Sequence, residues 1–469
     1  MKSIPYRLRN IPAFFLVSLI VFVSRLPFIN SSLGTDGDVY RVALTALSIA
    51  SKGEYLFSRF PGFPVQEYVF SFLMGVPTMV FNMISALLSG LSAGMFTLIL
   101  RRLKIENSIL LGLALACTPV VFVNSTASLD YVWALAFIIA SVWVLFQKPW
   151  LAGGLLGIAV GCRFTSLLMF APLCVLLWKL VSISRIKSIL QFLGGAFLTT
   201  CMVYTPVILA YQPGSTPQIP MQTNVWTSLY KASVGVWGIP GLVVLAGLAV
   251  TVLVSSKRKH AGSPVQEQHR GLLTVSLFAI SLYALVFLPY PYEAGYLIPI
   301  VPWVLLIVGM HMNRTQIISL TGALLLSSFT FGIISANQPE PYVPSPLHVV
   351  LPVAPKALTV DVLKGPVCME YERRETRRHF LDRMYAYADT VSQRTIVVTG
   401  WLTPQIRFEI GGGTERSNVV FAYALRANAI EFYKTNDYAI RYLRGMNEMN
   451  RQRYGVDLLE AGAVPLLFD

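Results

Sequence analysis

Of 469 residues, 55% are hydrophobic and only 13% charged, with a mean hydropathy of +0.61; soluble chains carry about 25% charge, so the chain reads as a membrane protein. Low charge, long apolar runs and only five cysteines exclude a disordered chain, a coiled coil and a disulfide-stapled secreted module. The net charge of +14 follows the expected membrane loops, and no nucleic-acid partner is expected.

A bilayer core about 30 Å thick takes roughly 20 helical residues to cross. About eleven apolar runs approach that length: 11–29, 82–100, 108–124, 130–146, 150–162, 165–181, 188–211, 235–254, 271–288, 297–311 and 316–335. The first runs into Arg25 and Pro27 without a small-residue cleavage site, so a retained helix is expected rather than a signal peptide. The run Val65–Phe81 is also apolar, but a crossing there would invert the charge bias of every later loop. It is predicted to lie in the outer interface, within a first outer loop of residues 30–81.

Lys and Arg orient the spans. Lys2, Arg7, Arg9, Arg101, Arg102, Lys104, Lys148, Lys179, Arg185, Lys187, Lys257, Arg258, Lys259, Arg270 and Arg314 fall in one set of loops. Arg41, Lys52, Arg59, Arg163 and Lys231 fall in the other, five against fifteen. The first set is therefore cytoplasmic, with the N-terminus, and the tail after about residue 336 is extracytoplasmic, as expected of a plasma (inner) membrane protein. Six of the eight acidic residues before residue 337 (Asp36, Asp38, Glu54, Glu67, Asp130, Glu293) lie on the outer side. Positive-inside bias does not explain that skew, which suggests an outer site.

Residues 337–365, with Pro339, Pro341, Pro344, Pro346, Pro352 and Pro355, read as a stiff extended linker with little capacity for helix or central strand. Residues 366–469 read as a small α/β domain. Strands are predicted at Pro366–Tyr371, Thr395–Trp401 and Asn418–Ala424, and helices at Arg373–Ser392, with Phe380, Met384, Ala388 and Val391 on one face, and at Tyr438–Tyr454. The basic cluster Arg373, Arg374, Arg377 and Arg378 is taken as a solvated face balanced by Glu370, Glu372 and Glu375, in preference to a phosphate site. Gly411-Gly412-Gly413 is taken as a turn.

The densest polar cluster follows the first span. Asp36-Gly37-Asp38 carries paired carboxylates, and Asp38 is a candidate N-cap for an amphipathic helix over Val39–Ala50. Arg59-Phe60-Pro61-Gly62-Phe63-Pro64 and Glu67 come next. Asp130 at the outer end of the fourth run, Arg163 between the fifth and sixth, and Glu293 with Tyr296 in a Tyr-rich outer loop complete the set. Charges at that depth cost roughly 2.5–3.5 kcal/mol on insertion scales unless they meet water or a partner.

In this order the motifs resemble the GT-C superfamily of polytopic glycosyltransferases, close to the protein O-mannosyltransferase and lipid A aminoarabinose transferase group. The resemblance covers residues 1 to about 335. Asp36-Gly37-Asp38-Val39-Tyr40 is similar to that group's acidic first-loop motif, and Arg59–Pro64 stands where a proline-rich, often basic segment leads into an interfacial helix. Asp130, Arg163 and the segment Glu293–Pro299 recur in order.

The resemblance implies sugar transfer from a polyprenyl-phosphate donor to an acceptor hydroxyl on a glycan, lipid or protein. Asp38 or Asp36 would be the general base, and Arg59 and Arg163 would receive the phosphate. Asp130, Glu67, Glu293 and Tyr296 would bind sugar, and Asp36, Asp38 and Asp130 are the candidates for a divalent cation. The histidine-proline-proline sequence of the mannosyltransferases is absent, and Arg59 or Arg163 must replace the Lys that many relatives place near the donor phosphate. A lipid or sugar transporter or flippase is the alternative, but mid-membrane charges and two related halves are not evident, and a receptor or scaffold, the third option, gives no reason for the carboxylates to share one face.

Overall fold

Each apolar run carries helix, as it must where no water satisfies a free backbone amide. The computed structural model describes residues 6–180, 184–211, 224–256, 264–335, 343–353 and 356–467. The orienting residues Lys2, Lys257, Arg258 and Lys259 and the linker residues Pro339, Pro341 and Pro355 lie outside the described residues. In chain order the helices are α1 (Tyr6–Arg25), α2 (Gly37–Lys52), α3 (Pro64–Ser71), α4 (Thr78–Arg102), α5 (Ser108–Cys117), α6 (Pro119–Asn124), α7 (Asp130–Val144) and α8 (Pro149–Cys162). They continue as α9 (Phe170–Leu180), α10 (Arg185–Ala210), α11 (Val225–Ala232), α12 (Val234–Ser256), α13 (Pro264–Phe287), α14 (Val301–His311) and α15 (Arg314–Phe329).

Among the described residues, six helical stretches are long and apolar enough to cross a membrane: 11–28, Thr78–Arg102, Arg185–Ala210, 234–251, 269–287 and 294–311. Shorter apolar helices take up other runs. Thr118-Pro119, for example, divides the run 108–124 into α5 and α6, because proline cannot donate into a helix interior. The last run stops at Phe329, and Gly332–Ser335 is strand β1. Val65–Phe81 is not one helix: α3 ends at Ser71 and the chain turns before α4.

Small residues set the helix contacts. Gly153, Gly157 and Gly161 stand four apart on α8, and a Cβ at Gly157 would come within 2.9 Å of the Ala196 carbonyl on α10. The same close approach recurs where Gly90 of α4 meets Ser18 of α1, with 2.6 Å to the Ser18 carbonyl. Dispersion contact, rather than exclusion of water, holds helices together in lipid, and small residues let the backbones approach.

Two sheets follow. β1 pairs with β3 (Lys356–Asp361), which also pairs with β2 (His348–Val353), both antiparallel. The expected linker is thus partly sheet. Pro352 is tolerated because β2 is an edge strand, and the run Lys356–Asp361 is free of proline.

The C-terminal α/β domain holds helices α16 (Pro366–Thr390), α17 (Thr403–Glu409), α18 (Ala427–Thr435) and α19 (Met446–Tyr454). Its strands are β4 (Thr395–Val398), β5 (Glu415–Arg416), β6 (Val419–Ala422), β7 (Ala439–Leu443) and β8 (Val464–Leu466), in the order β5-β6-β4-β7-β8. All pairs are parallel except β5–β6. β4 is buried throughout, as a central parallel strand must be.

Two expectations fail here. Pro366–Tyr371 is not a strand, because Pro366 opens α16, where its missing N–H costs nothing. Tyr438–Tyr454 is not one helix, because Gly445, in the left-handed region at φ +78°, separates β7 from α19.

Candidate functional site

Asp36 is the N-cap of α2, its carboxylate accepting the Asp38 N–H at 2.9 Å. The cap expected of Asp38 passes to Asp36 because the helix already opens at Gly37. Asp38 therefore sits in the first turn, where the helix dipole favours negative charge. Its side chain is 32% exposed.

Arg59 lies in a turn before α3, closed by the Gly62 N–H on the Arg59 carbonyl at 2.6 Å. Gly62 has φ +97°, and a Cβ there would lie 2.9 Å from Val207 on α10, so both conformation and space demand glycine. The guanidinium joins carboxylates from distant stretches of chain. Nε meets Asp38 Oδ2 at 3.3 Å and Nη2 meets Asp130 Oδ1 at 3.2 Å.

Asp130 is the first residue of α7, and its other oxygen takes Arg163 Nη1 at 2.5 Å. Arg163 terminates α8 in extended backbone. Aromatic faces hold both cations: Arg59 stands 3.8 Å over Phe63, and Arg163 stands 3.8 Å over Tyr131 and 4.4 Å over Tyr296. Glu293, just before the 3-10 helix Ala294–Ile300, accepts the Tyr131 hydroxyl and lies against the Asp36 carboxyl.

Seven of the eight residues expected at a site thus meet in one network: Asp36, Asp38, Arg59, Asp130, Arg163, Glu293 and Tyr296. Glu67 has a different place. Fully buried on α3, it accepts the Ser58 N–H at 2.9 Å and the Tyr55 hydroxyl, and so braces the turn that carries Arg59. Burial pushes its carboxyl above the usual range, opposed by those two hydrogen bonds.

Burial pushes Asp36 up to about 7, helped by the Glu293 carboxyl against it. Asp38 is raised by burial too, with Arg59 pulling the other way. Burial draws Arg59 down, but Asp38 and then Asp130 more than reverse this and leave it above its ordinary value. Two donors stay unused: Arg59 Nη1 and Arg163 Nε are buried and unpartnered. Buried guanidinium N–H groups are costly to leave unpaired, and they suit an anionic ligand.

Asp36, Asp38 and Asp130, the candidates for a divalent cation, are not gathered into a metal group. Among the described residues, no group of three or more His, Cys, Asp or Glu is placed to hold a metal ion. The Arg59 guanidinium stands between Asp38 and Asp130 and supplies the positive charge there.

The arginine cluster of α16 is only in part the solvated face expected, with Arg378 exposed. Arg374 and Arg377 are buried, and they extend the stripe of Leu381, Met384 and Ala388 toward the helix N-terminus. Arg374 Nη1 donates to the Thr126 carbonyl at 2.8 Å and Nη2 to its hydroxyl at 3.1 Å. Arg377 Nη1 donates to the Thr35 carbonyl at 2.5 Å, and Glu370 accepts the Thr35 N–H and hydroxyl at 3.2 and 2.8 Å. The C-terminal domain therefore grips the segments leading into Asp36 and Asp130. The signal was in the spacing: Glu370, Arg374 and Arg377 recur at helical intervals on one face. Tyr131, also missed, is adjacent to Asp130 in the chain.

Comparison of the chain with protein-family models, with curated proteins and with solved structures finds no match.

Proposed function

We propose that this chain is a membrane glycosyltransferase of the GT-C kind, with eleven membrane-crossing segments, a cytoplasmic N-terminus and its site at the extracytoplasmic boundary of the plasma membrane. The observation that carries the proposal is the Arg59 guanidinium held between Asp38 and Asp130, with unpartnered N–H groups on Arg59 and on the adjacent Arg163. A carboxylate able to take a proton beside buried donors able to take a phosphate is what single displacement on a sugar phosphate needs.

The acceptor oxygen bonds to the anomeric carbon as the bond from that carbon to the phosphate oxygen breaks, with inversion. Asp38 takes the acceptor proton, being partly exposed while Asp36 is engaged as helix cap and against Glu293. Polyprenyl phosphate departs with the bonding electrons, and Arg59 and Arg163 stabilise its growing charge.

The test is sugar release from a polyprenyl-phosphate hexose by the purified protein in lipid nanodiscs. Wild type releases sugar, whereas Asp38→Asn slows release by about 10²–10⁴-fold, the usual worth of a positioned base. Unchanged release in both Asp38→Asn and Asp36→Asn removes the base assignment. Donor bound and moved across the membrane without cleavage favours a transporter.

A further inference from the structure

A cleft of about 680 Å³ lies between α2 and α17, against the turn Gly411–Gly413. Its charged lining has one sign: Arg41, Lys52 and Arg407, with no Asp or Glu in its wall. Ser48, Ser58 and Tyr423 add hydroxyls. The cleft runs into the site described above, since Arg41 Nη1 meets Asp38 Oδ1 at 3.2 Å and Ser58 directly precedes Arg59.

One polar atom of the wall, Arg407 Nε, is buried without a hydrogen-bond partner. The walls come from different parts of the chain but touch closely. A Cβ on Gly37 would lie 3.2 Å from the Trp401 carbonyl, and one on Gly412 would lie 3.3 Å from Leu47. Among the described residues, Arg41 alone of the three cations is ion-paired with a carboxylate, and that carboxylate is Asp38 itself.

We propose that this cleft is the acceptor subsite and that the acceptor is an anionic saccharide bearing carboxylate or phosphate groups; this rests on the glycosyl-transfer reading. Three cations converging on one cavity repel one another as water leaves, and an anionic ligand supplies the missing counter-charge. Hydroxyls and a tyrosine among those cations suit a sugar better than an acyl chain. The arrangement places an acceptor hydroxyl beside Asp38, on the side of that carboxylate away from Asp130.

Binding is measured apart from transfer, with the full chain in zwitterionic nanodiscs. The probes are tetragalacturonate against neutral maltotetraose, and mannose 6-phosphate against mannose. At least one charged probe binds about tenfold more tightly than its neutral counterpart, a preference that falls with salt and disappears in Lys52→Gln/Arg407→Gln. Preference for tetragalacturonate identifies a uronate-type acceptor, and preference for mannose 6-phosphate a phosphorylated one.

Equal binding of charged and neutral probes overturns the proposal, as does a preference that survives the double variant. Competition only by added phosphatidylglycerol also overturns it, in favour of a lipid headgroup. If the double variant melts below wild type, exposed Lys52→Glu serves in its place, with the preference weakened at unchanged melting. Charge preference without cleavage of the polyprenyl-phosphate donor by the wild type defeats the transfer reading alone. No preference, with transfer lost in Asp38→Asn, defeats the cleft alone.

Discussion

The same ion pair means different things in two regions of this molecule. Around Asp130 the carboxylate is 1% exposed and each oxygen meets a different arginine. On the C-terminal domain Asp389 meets Arg416 at 2.6 Å with both side chains more than a third exposed. Water screens the second pair and would solvate either partner alone, whereas nothing replaces a partner lost from the first. Ion pairs that are costly to break and costly to desolvate mark a built site, and distance alone does not distinguish them.

The largest expected effect is at Asp130. Asp130→Asn leaves the facing arginines under-compensated, and thermal unfolding should report a loss of about 3–5 kcal/mol, with sugar release abolished. Melting equal to wild type would erase the contrast between the two regions. Arg374→Ala comes next, since it strands the buried Thr126 carbonyl at a cost of about 1–3 kcal/mol. It should lower the rate of sugar release through the Asp130 segment, and Arg374→Lys should restore part of both quantities.

A pH series sharpens the comparison further. Asp36 reaches about 7 in the folded protein, so the native state keeps a proton that the unfolded chain has released. Stability should therefore decline as pH rises from the ordinary carboxylate range through about 7. Sugar release should rise over the upper part of that window as Asp36, beside Asp38, ionises, and Asp36→Asn should remove the inflection. An inflection unmoved in that variant assigns the titration to another group. Arg416→Gln is the smallest case: neither melting nor sugar release should change, because the pair is exposed.

Much of the site was legible in the chain because charge is so rare in it. A carboxylate or arginine at the end of an apolar run must meet water or a partner, and so Asp38, Arg59, Asp130 and Arg163 stood out against their surroundings. Arg374 and Arg377 did not, because they occur where charge is abundant and solvation is the ordinary fate. Glu67 was visible but misplaced in role, since its partners Tyr55 and the Ser58 amide are fixed by the fold of the intervening loop. The strand at His348–Val353 was hidden by flanking prolines, whose edge position only the sheet pairing reveals.

Hydropathy marked where along the chain apolar helix forms and where the rare charges stand, since transfer of each residue out of water is a local property, whereas breaks such as Thr118-Pro119 and the stop at Phe329 are not written in it. Which of those charges share a pocket was decided by tertiary contacts between residues tens to hundreds of positions apart. So was the fate of two arginines on α16, buried against the carbonyls of Thr126 and Thr35. Pairing energies depend on burial and on the partner's position, and neither quantity is written in any one stretch of chain.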